Sequence, residues 1–331
     1  MISEIREQPK AVERTIESAV DEIRSAASLL DDRFVYTTGS GSSYHASLVL
    51  HRLLMKVSNL KSTSIPSSEL PEWLPPEIKN SALVAFSQSG ESKDVLVAVD
   101  YFRRVSRDGV VVSVTNTPKS TLARVSDDVI LTRAGEERAV AATKSYTTQL
   151  VVSFMLALKI AEQRGIVLDE LVSELSIISK KMEKTIDLSF DLMEDIAKEI
   201  REVPFGFILG KGPNYPTALE GALKLRETAN LHYVGYAARE FLHGPIQLVD
   251  RGTPVISLNW VEMKEVVRRV RSFGGRVIRI GVGGEIPIPE TRYEFSPLLM
   301  VIPLQVLAYN ISLLRGLDPD KPEKLGKVVT E

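Results

Sequence analysis

The sequence predicts an α/β protein of two similar domains, each a parallel sheet flanked by helices, the two related by a pseudo-twofold. Three observations carry this expectation. Short apolar runs without polar alternation recur between amphipathic stretches, as expected of strands buried on both faces. The alternation of strand and helix runs through the chain and then begins again near residue 205. Finally, TTGSGSSYHASL (37–48) returns as ILGKGPNYPTAL (208–219), so Gly39, Gly41 and Tyr44 match Gly210, Gly212 and Tyr215, 171 residues on (39 to 210). A repeat of that length is a duplicated domain; solenoid periods are ~20–50 residues.

The elements follow in order. Residues 3–29 place Ile5, Val12, Ile16, Val20 and Ile23 on one helical face. FVYTTG (34–39) reads as a buried strand entering a glycine turn, and 43–57 as a helix. ALVAF (82–86), VVVSVTN (110–116) and DDVIL (127–131) read as strands, with a helix over 91–105 and a long one from near Ser145. Residues 167–200 are charged and periodic, as in a helix joining two domains. In the second half FGFILG (205–210), PVISL (254–258) and RVIRI (276–280) are the strands, and 215–229, 261–272 and 297–314 the helices. The expected division is 1–165 for an N-terminal helix and the first domain, 166–200 for the connecting helix, and 201–331 for the second domain and a tail.

The 331 residues suffice for two domains of ordinary size. A hydrophobic share of 44% and a charged share of 25% are those of a soluble globular chain. The formal net charge of -2 gives no basic excess to attract nucleic acid or an anionic membrane, so neither is expected as a partner. The absence of cysteine excludes disulfides, thiolate metal sites and a thiol nucleophile from these residues, and fits a cytoplasmic location. MISEIREQPKAVERT at the start has no apolar signal core. The apolar run at 150–158 contains Ser153 and is followed by Lys159, so no membrane span is expected.

Chemistry concentrates in a few segments. AFSQSGES (85–92) sets Ser87, Gln88, Ser89 and Ser92 where a strand gives way to a helix. Helix N-termini favour anions, and parallel sheets bind ligands at the carboxyl ends of their strands. A single serine there is most simply a helix cap; four polar side chains together point to a phosphate. TTGSGSSYH (37–45) has the same layout, with Gly39 and Gly41 allowing close approach and Ser42 and Ser43 able to donate. It lacks the third glycine of a dinucleotide fingerprint, and no GxxxxGK[ST] sequence occurs. In EGALKLRE (220–227), Lys224 and Glu227 share a helical face, which in most proteins is a surface ion pair. YAAREFLHGP (236–245) carries His243. A carboxylate, a lysine and a histidine are groups that move protons on a sugar. His45, His51 and His232 read as packing or surface residues. No HExxH or comparable ligand cluster suggests a metal. The end, DPDKPEKLGKVVTE (318–331), reads by itself as a frayed polar tail that includes Lys327.

Taken together these segments resemble the sugar isomerase (SIS) domain family, and within it the isomerase half of the glucosamine-6-phosphate synthases. GSGSSYHASL, AFSQSGESKDVL, RAGEERAVAATKSYTTQL, LGKGPNYPTALEGALKLRE, YAAREFLHGPIQLVD and PLQVLAYNISLLRGLDPDKPEKLGKVVTE carry the likeness, in order, from about residue 37 onward. The resemblance implies two SIS domains and a homodimer. It implies a sugar 6-phosphate held by Ser42, Ser43 and the SQSGES segment, with Gly41 and the backbone around Val140 and Ala142 at the sugar. Glu227 would transfer the proton, Lys224 assist at the sugar oxygens, His243 open the ring across a dimer, and Lys327 form a Schiff base with the open-chain ketose. The tail would then be a lid. No cofactor is implied, because the sugar's own carbonyl is the electron sink.

The sequence also departs from the synthases. Their glutaminase domain, with a cysteine directly after the initiator methionine, has no counterpart here: residue 2 is isoleucine. Ser42 and Ser92 stand where threonine is common, Arg239 and Gly326 where glycine and alanine are common. The expected activity is therefore a SIS-type glucosamine-6-phosphate deaminase, releasing fructose 6-phosphate and ammonia. The enzymatic alternatives are a fructosamine-6-phosphate deglycase and an ammonia-dependent synthase. A non-catalytic sugar-phosphate sensor is the alternative of another class. Residues 1–30 are too short and acidic for the DNA-binding domain such sensors carry.

Overall fold

A computed structural model describes residues 1–327, the side chains of Trp260 and Glu262 apart. The last four residues of the tail segment lie outside the described residues. The first half contains α1 (Ile2–Ser18), α2 (Val20–Leu30), β1 (Phe34–Gly39), α3 (Ser42–Lys56), β2 (Ser62–Pro66), α4 (Leu70–Trp73), β3 (Ser81–Phe86), α5 (Lys93–Val105), β4 (Val110–Thr115), α6 (Thr121–Val125), β5 (Asp128–Leu131) and α7 (Lys144–Gln163). The second contains α8 (Asp169–Ile200), β6 (Phe205–Gly210), α9 (Asn214–Ala229), β7 (His232–Ala237), β8 (Pro254–Leu258), α10 (Lys264–Ser272), β9 (Arg276–Ile280) and α11 (Ser296–Leu314).

The strands form two wholly parallel sheets, of order β2-β1-β3-β4-β5 and β7-β6-β8-β9. The second repeats the first four strands of the first. The duplication extends to detail at the end of the central strand. A Cβ on Gly39 would lie 2.7 Å from the carbonyl carbon of Ser43, and one on Gly210 would lie 1.9 Å from the carbonyl oxygen of Asn214. In each repeat the following helix packs against its strand so closely that only glycine fits.

By contacts within the chain there are two compact units. The unit around the first sheet comprises Lys10–Glu137 and Lys144–Ser176, with Gly326 and Lys327 from the tail. Its core packs Leu83, Ala85 and Val111 of the sheet against Val99 and Phe102 of α5. The unit around the second sheet comprises Met1–Pro9, Arg138–Thr143 and Ile177–Leu325. There Phe207, Val255 and Val277 pack against Val266 and Val270 of α10 and against Phe241, whose ring centroid is 4.9 Å from that of Phe207. The units interleave in sequence, so α8 begins in one and continues in the other.

The structure departs from the sequence reading at several places. The single helix expected over 3–29 is two, broken at Ala19 (φ -95, ψ 5), which leaves Val20 exposed and off the apolar face. The strands β2 and β7 were not expected. Both are edge strands, and neither STSIP nor HYVGYA offers an uninterrupted apolar run. The most apolar helix lies at Tyr293–Leu314, not at 150–158, and is long and apolar enough to cross a membrane. In the structure it is mostly buried, packing on α9, where the Thr228 hydroxyl donates to the Ala308 carbonyl (3.3 Å).

Gly210→Ala is expected to lower the stability of the protein by about 2 kcal/mol or more, because the helix backbone has to move away from the strand. Urea unfolding measures this; an unchanged midpoint would show that the close approach is not needed.

Candidate active site

Two groups of chemistry-bearing residues are assembled, one in each unit. The first lies at the carboxyl edge of the first sheet. β1 connects to β2 on one side and is paired with β3 on the other, so the chain order reverses between β1 and β3. Such a switch point is where parallel sheets open a crevice. Gly39 and Phe86 are register partners, so the turns after them leave the sheet side by side.

In the first turn Gly41 has φ 55, and Ser42 and Ser43 open α3. The Ser43 hydroxyl accepts a hydrogen bond from Gln149 Nε2 (3.0 Å), on α7. In the second turn the Ser87 hydroxyl accepts from the Gly90 N–H (3.1 Å) and the Ser89 hydroxyl from the Glu91 N–H (3.1 Å). Gly90 has φ 67, and a Cβ there would lie 2.1 Å from the Ser120 hydroxyl, so this turn closes only around glycine. Glu91 anchors it by accepting from the Thr121 N–H (2.8 Å), and that bond holds its carboxyl below the ordinary glutamate value. Ser92 is the N-cap of α5, without a side-chain bond to the helix.

A serine hydroxyl has one proton to give and two lone pairs. In Ser43, Ser87 and Ser89 the oxygen already accepts, and among the described residues none of the three donates. What each still offers is its proton. Three hydroxyls oriented in this way, with the half-buried Gln88 amide and Ser92 hydroxyl, form a donor set suited to an anion. The serines were legible in the sequence. Gln149 was not, because it is one of several buried polar residues of α7, among them Thr147, Thr148 and Ser153.

The second group is on α9. The Lys224 side chain has no exposed surface; its Nζ lies 3.3 Å from Glu220 Oε1 and 2.6 Å from Glu227 Oε2. Burial alone would lower the lysine pKa, but Glu220 and then Glu227 outweigh it and raise it above the ordinary value. Lys224 therefore holds its proton at neutral pH. Glu220 is wholly buried, whereas Glu227 keeps 21% of its side chain exposed, at a pocket of about 410 Å³ lined also by Arg226, Asn230, Lys321 and Lys324. Glu220 was missed in the sequence. The signal was there, as Glu220, Lys224 and Glu227 are spaced i, i+4 and i+7 along one helical face.

The remaining residues are placed as follows. Val140, in the second-sheet unit, donates its N–H to the Asp320 carbonyl (3.0 Å), so that amide is already engaged by the tail; Ala142 is half-buried in the same segment. Glu4 secures this segment by accepting from the N–H groups of Arg138 (2.5 Å) and Ala139 (3.2 Å). His243 is exposed, at the end of a 3-10 turn (Glu240–His243), and among the described residues it makes no side-chain hydrogen bond, so it is not joined to Lys224 or Glu227. Arg239, at the start of that turn, forms an exposed ion pair with Glu265 (3.7 Å). Lys327, in the first-sheet unit, places Nζ 3.1 Å from Glu137 Oε2. Glu137 is buried and also accepts from the Ser145 hydroxyl (2.5 Å). That partnership has no local signal, as the two residues are 190 apart in sequence. Among the described residues no group of three or more His, Asp or Glu side chains could hold a metal ion.

Lys224→Met would leave Glu220 buried without a counter-charge, and is expected to cost about 3 kcal/mol or more. Adding Glu220→Gln should recover part of that loss. Equal losses in the single and double variants, by urea unfolding, would mean that the pair is not coupled.

Comparison with known proteins agrees with this architecture. Over its whole length the chain is 36% identical to the glutamine–fructose-6-phosphate aminotransferase (isomerizing) of Clostridium tetani and 40% identical to that of Pyrobaculum aerophilum, covering 58% and 57% of those proteins. The chain thus spans little more than half the length of these relatives. Among solved structures it is similar to the C-terminal domain of glucosamine-fructose-6-phosphate aminotransferase from Francisella tularensis (27% identity, TM-score 0.87, covering 97% of this chain and 98% of that one). It is also similar to glucosamine-6-phosphate deaminase from Thermotoga maritima (26% identity, TM-score 0.83, covering 99% and 98%). The SIS domain model matches residues 28–159 and 201–285, the two sheet-bearing repeats, and the chain belongs to the SIS domain family.

Proposed function

We propose that the protein is a glucosamine-6-phosphate deaminase of the SIS type, converting glucosamine 6-phosphate and water to fructose 6-phosphate and ammonia. The observation that carries this reading is Glu227: a carboxylate at the edge of a pocket, held at 2.6 Å by a buried lysine that keeps its proton. A base of this kind, fixed in orientation and open to a ligand, suits proton transfer between adjacent carbons. The deaminase of Thermotoga maritima, matched over nearly all of both chains, supports the direction. So does the lack of any cysteine in these 331 residues, which leaves them no thiol for hydrolysing glutamine.

The residues take the following roles. Ser43, Ser87, Ser89 and Ser92, with Ser42 and Gln88, hold the 6-phosphate. His243 assists ring opening, exposing the C1 aldehyde. Glu227 removes the C2 proton, giving an enolamine, and returns a proton to C1, giving an imine at C2. Water adds to that imine and ammonia leaves with the C2 carbonyl formed. Alternatively the Lys327 amine displaces ammonia first, and water then releases the ketose; this route requires Glu137 to let go of the lysine. Lys224, having no exposed surface, is assigned as the residue that positions Glu227. Val140 and Ala142 border the sugar through backbone groups other than the Val140 N–H.

The names of the Clostridium tetani and Pyrobaculum aerophilum relatives favour a second reading, the reverse reaction with free ammonia. The two are separated by assay in both directions: ammonia and fructose 6-phosphate released from glucosamine 6-phosphate, against glucosamine 6-phosphate formed from fructose 6-phosphate and ammonium. No turnover in either direction, by folded protein that binds sugar phosphate, would contradict both.

Glu227→Gln is expected to bind glucosamine 6-phosphate normally and to lose roughly 10²–10⁴-fold in kcat. Retained turnover would remove Glu227 from the mechanism. Ser87→Ala with Ser89→Ala should raise the Kd for sugar phosphate about 10–100-fold, the effect of losing hydrogen bonds to a charged group, with little loss of fold. Unchanged affinity in calorimetry would move the phosphate elsewhere.

A further inference from the structure

α7 is buried over most of its length, and several of its polar side chains bond within the helix itself. The Thr147 and Thr148 hydroxyls donate to the Lys144 carbonyl (3.2 and 2.9 Å), and the Ser153 hydroxyl donates to the Gln149 carbonyl (2.9 Å). Bonds of this kind satisfy a buried hydroxyl locally and reach no other element. The Gln149 side chain behaves differently. Gln149 is 1% exposed, and its amide crosses to α3, which packs on α7, where Nε2 donates to the Ser43 hydroxyl (3.0 Å). Among the described residues this is the one hydrogen bond of that amide. Burying an amide costs free energy that an apolar side chain of the same size would not cost. Packing alone therefore does not account for a glutamine at this position.

Ser43, Ser87 and Ser89 differ in what orients them. Ser87 and Ser89 accept from N–H groups of their own turn, those of Gly90 and Glu91 (3.1 Å each). These donors are backbone and come with the turn. Ser43 has no such donor among the described residues. Its own N–H goes to the Ser40 carbonyl (3.1 Å), and the group that donates to its hydroxyl is Gln149. Gln149 thus does for Ser43 what the backbone does for the other two. A hydroxyl left to rotate can turn either a lone pair or its proton toward a ligand. An amide N–H on its oxygen biases it to offer the proton. With all three hydroxyls biased alike, the set suits a group that only accepts, such as an ionised phosphate ester.

We propose that Gln149 is a positioning residue of the phosphate site: acting through Ser43, it sets the affinity for the phosphate group without touching it. The inference rests on the reading of the serine turns as a phosphate cradle. It depends neither on Glu227 nor on the direction of the reaction.

The test is a double-mutant cycle on Ser43 and Gln149 in the full chain, read as the Kd for glucosamine 6-phosphate by calorimetry. Gln149→Met keeps the length of the side chain and removes the donor. It is expected to weaken binding about 3–10-fold, part of the contribution of a hydrogen bond to a charged group. Ser43→Ala is expected to weaken binding about 10-fold or more. Because Gln149 acts through Ser43, adding Gln149→Met to Ser43→Ala should weaken binding no further. Ser153→Ala, on the same helix, should leave the Kd unchanged. Thermal melting checks that each variant folds; should Gln149→Met not fold, Gln149→Asn, whose amide is one methylene shorter, takes its place in the cycle. An unchanged Kd in the Gln149 variant, with binding weakened in Ser43→Ala, would overturn the proposal and leave the cradle standing. Losses that multiply in the double variant, or an equal loss in Ser153→Ala, would also overturn it, because Gln149 would then act on the ligand directly or through the helix. Unchanged affinity in Ser43→Ala would overturn it too, and if Ser87→Ala with Ser89→Ala is also unchanged, the cradle falls with it. A wild type that binds neither glucosamine 6-phosphate nor fructose 6-phosphate would remove both the cradle and the proposal.

Discussion

A protonated lysine with no exposed surface is the constraint on which the candidate site depends. An ammonium group taken out of water without compensation is costly, so it needs carboxylates close at hand. Lys224 has Glu220 beneath it and Glu227 toward the pocket. One carboxylate is spent on burial and the other remains open to a ligand. Both ion pairs lie within α9, on a face where Glu220 and Lys224 are fully buried, and α11 packs on the same helix. The acid–base chemistry assigned to Glu227 thus rests on a triad of charges within one helix.

The parallel sheets supply the second condition. Where the strand order reverses, two turns emerge side by side, and glycine at position 90 lets one of them close tightly. The serine hydroxyls there are held as acceptors by Gln149 and by the turn's own amides. Their protons are left for a ligand. If these turns hold the phosphate as proposed, the cradle is arranged before it arrives, which lowers the ordering cost of binding.

Much of this was legible in the sequence, and the rest was hidden for definable reasons. The central strands announce themselves as apolar runs because both their faces are covered; the edge strands β2 and β7 do not, since one side of each is open and their residues are mixed. The long apolar helix α11 was recognised as a helix but not as the most apolar one, because Pro303, Gln305 and Asn310 interrupt its run of hydrophobic residues. Lys224 and Glu227 were found by helical spacing, but spacing says nothing of burial, so Glu220 and the lysine's enclosure went unseen. The pairing of Lys327 with Glu137 links residues far apart in sequence and has no local signature.

The central claim is that Glu227 breaks the C2–H bond of the open-chain sugar. The most direct measurement is proton NMR of glucosamine 6-phosphate in D₂O with wild-type protein and with Glu227→Gln. The account predicts that the C2 proton signal disappears with the wild type and persists with the variant. Loss of that signal with Glu227→Gln at the wild-type rate would contradict it.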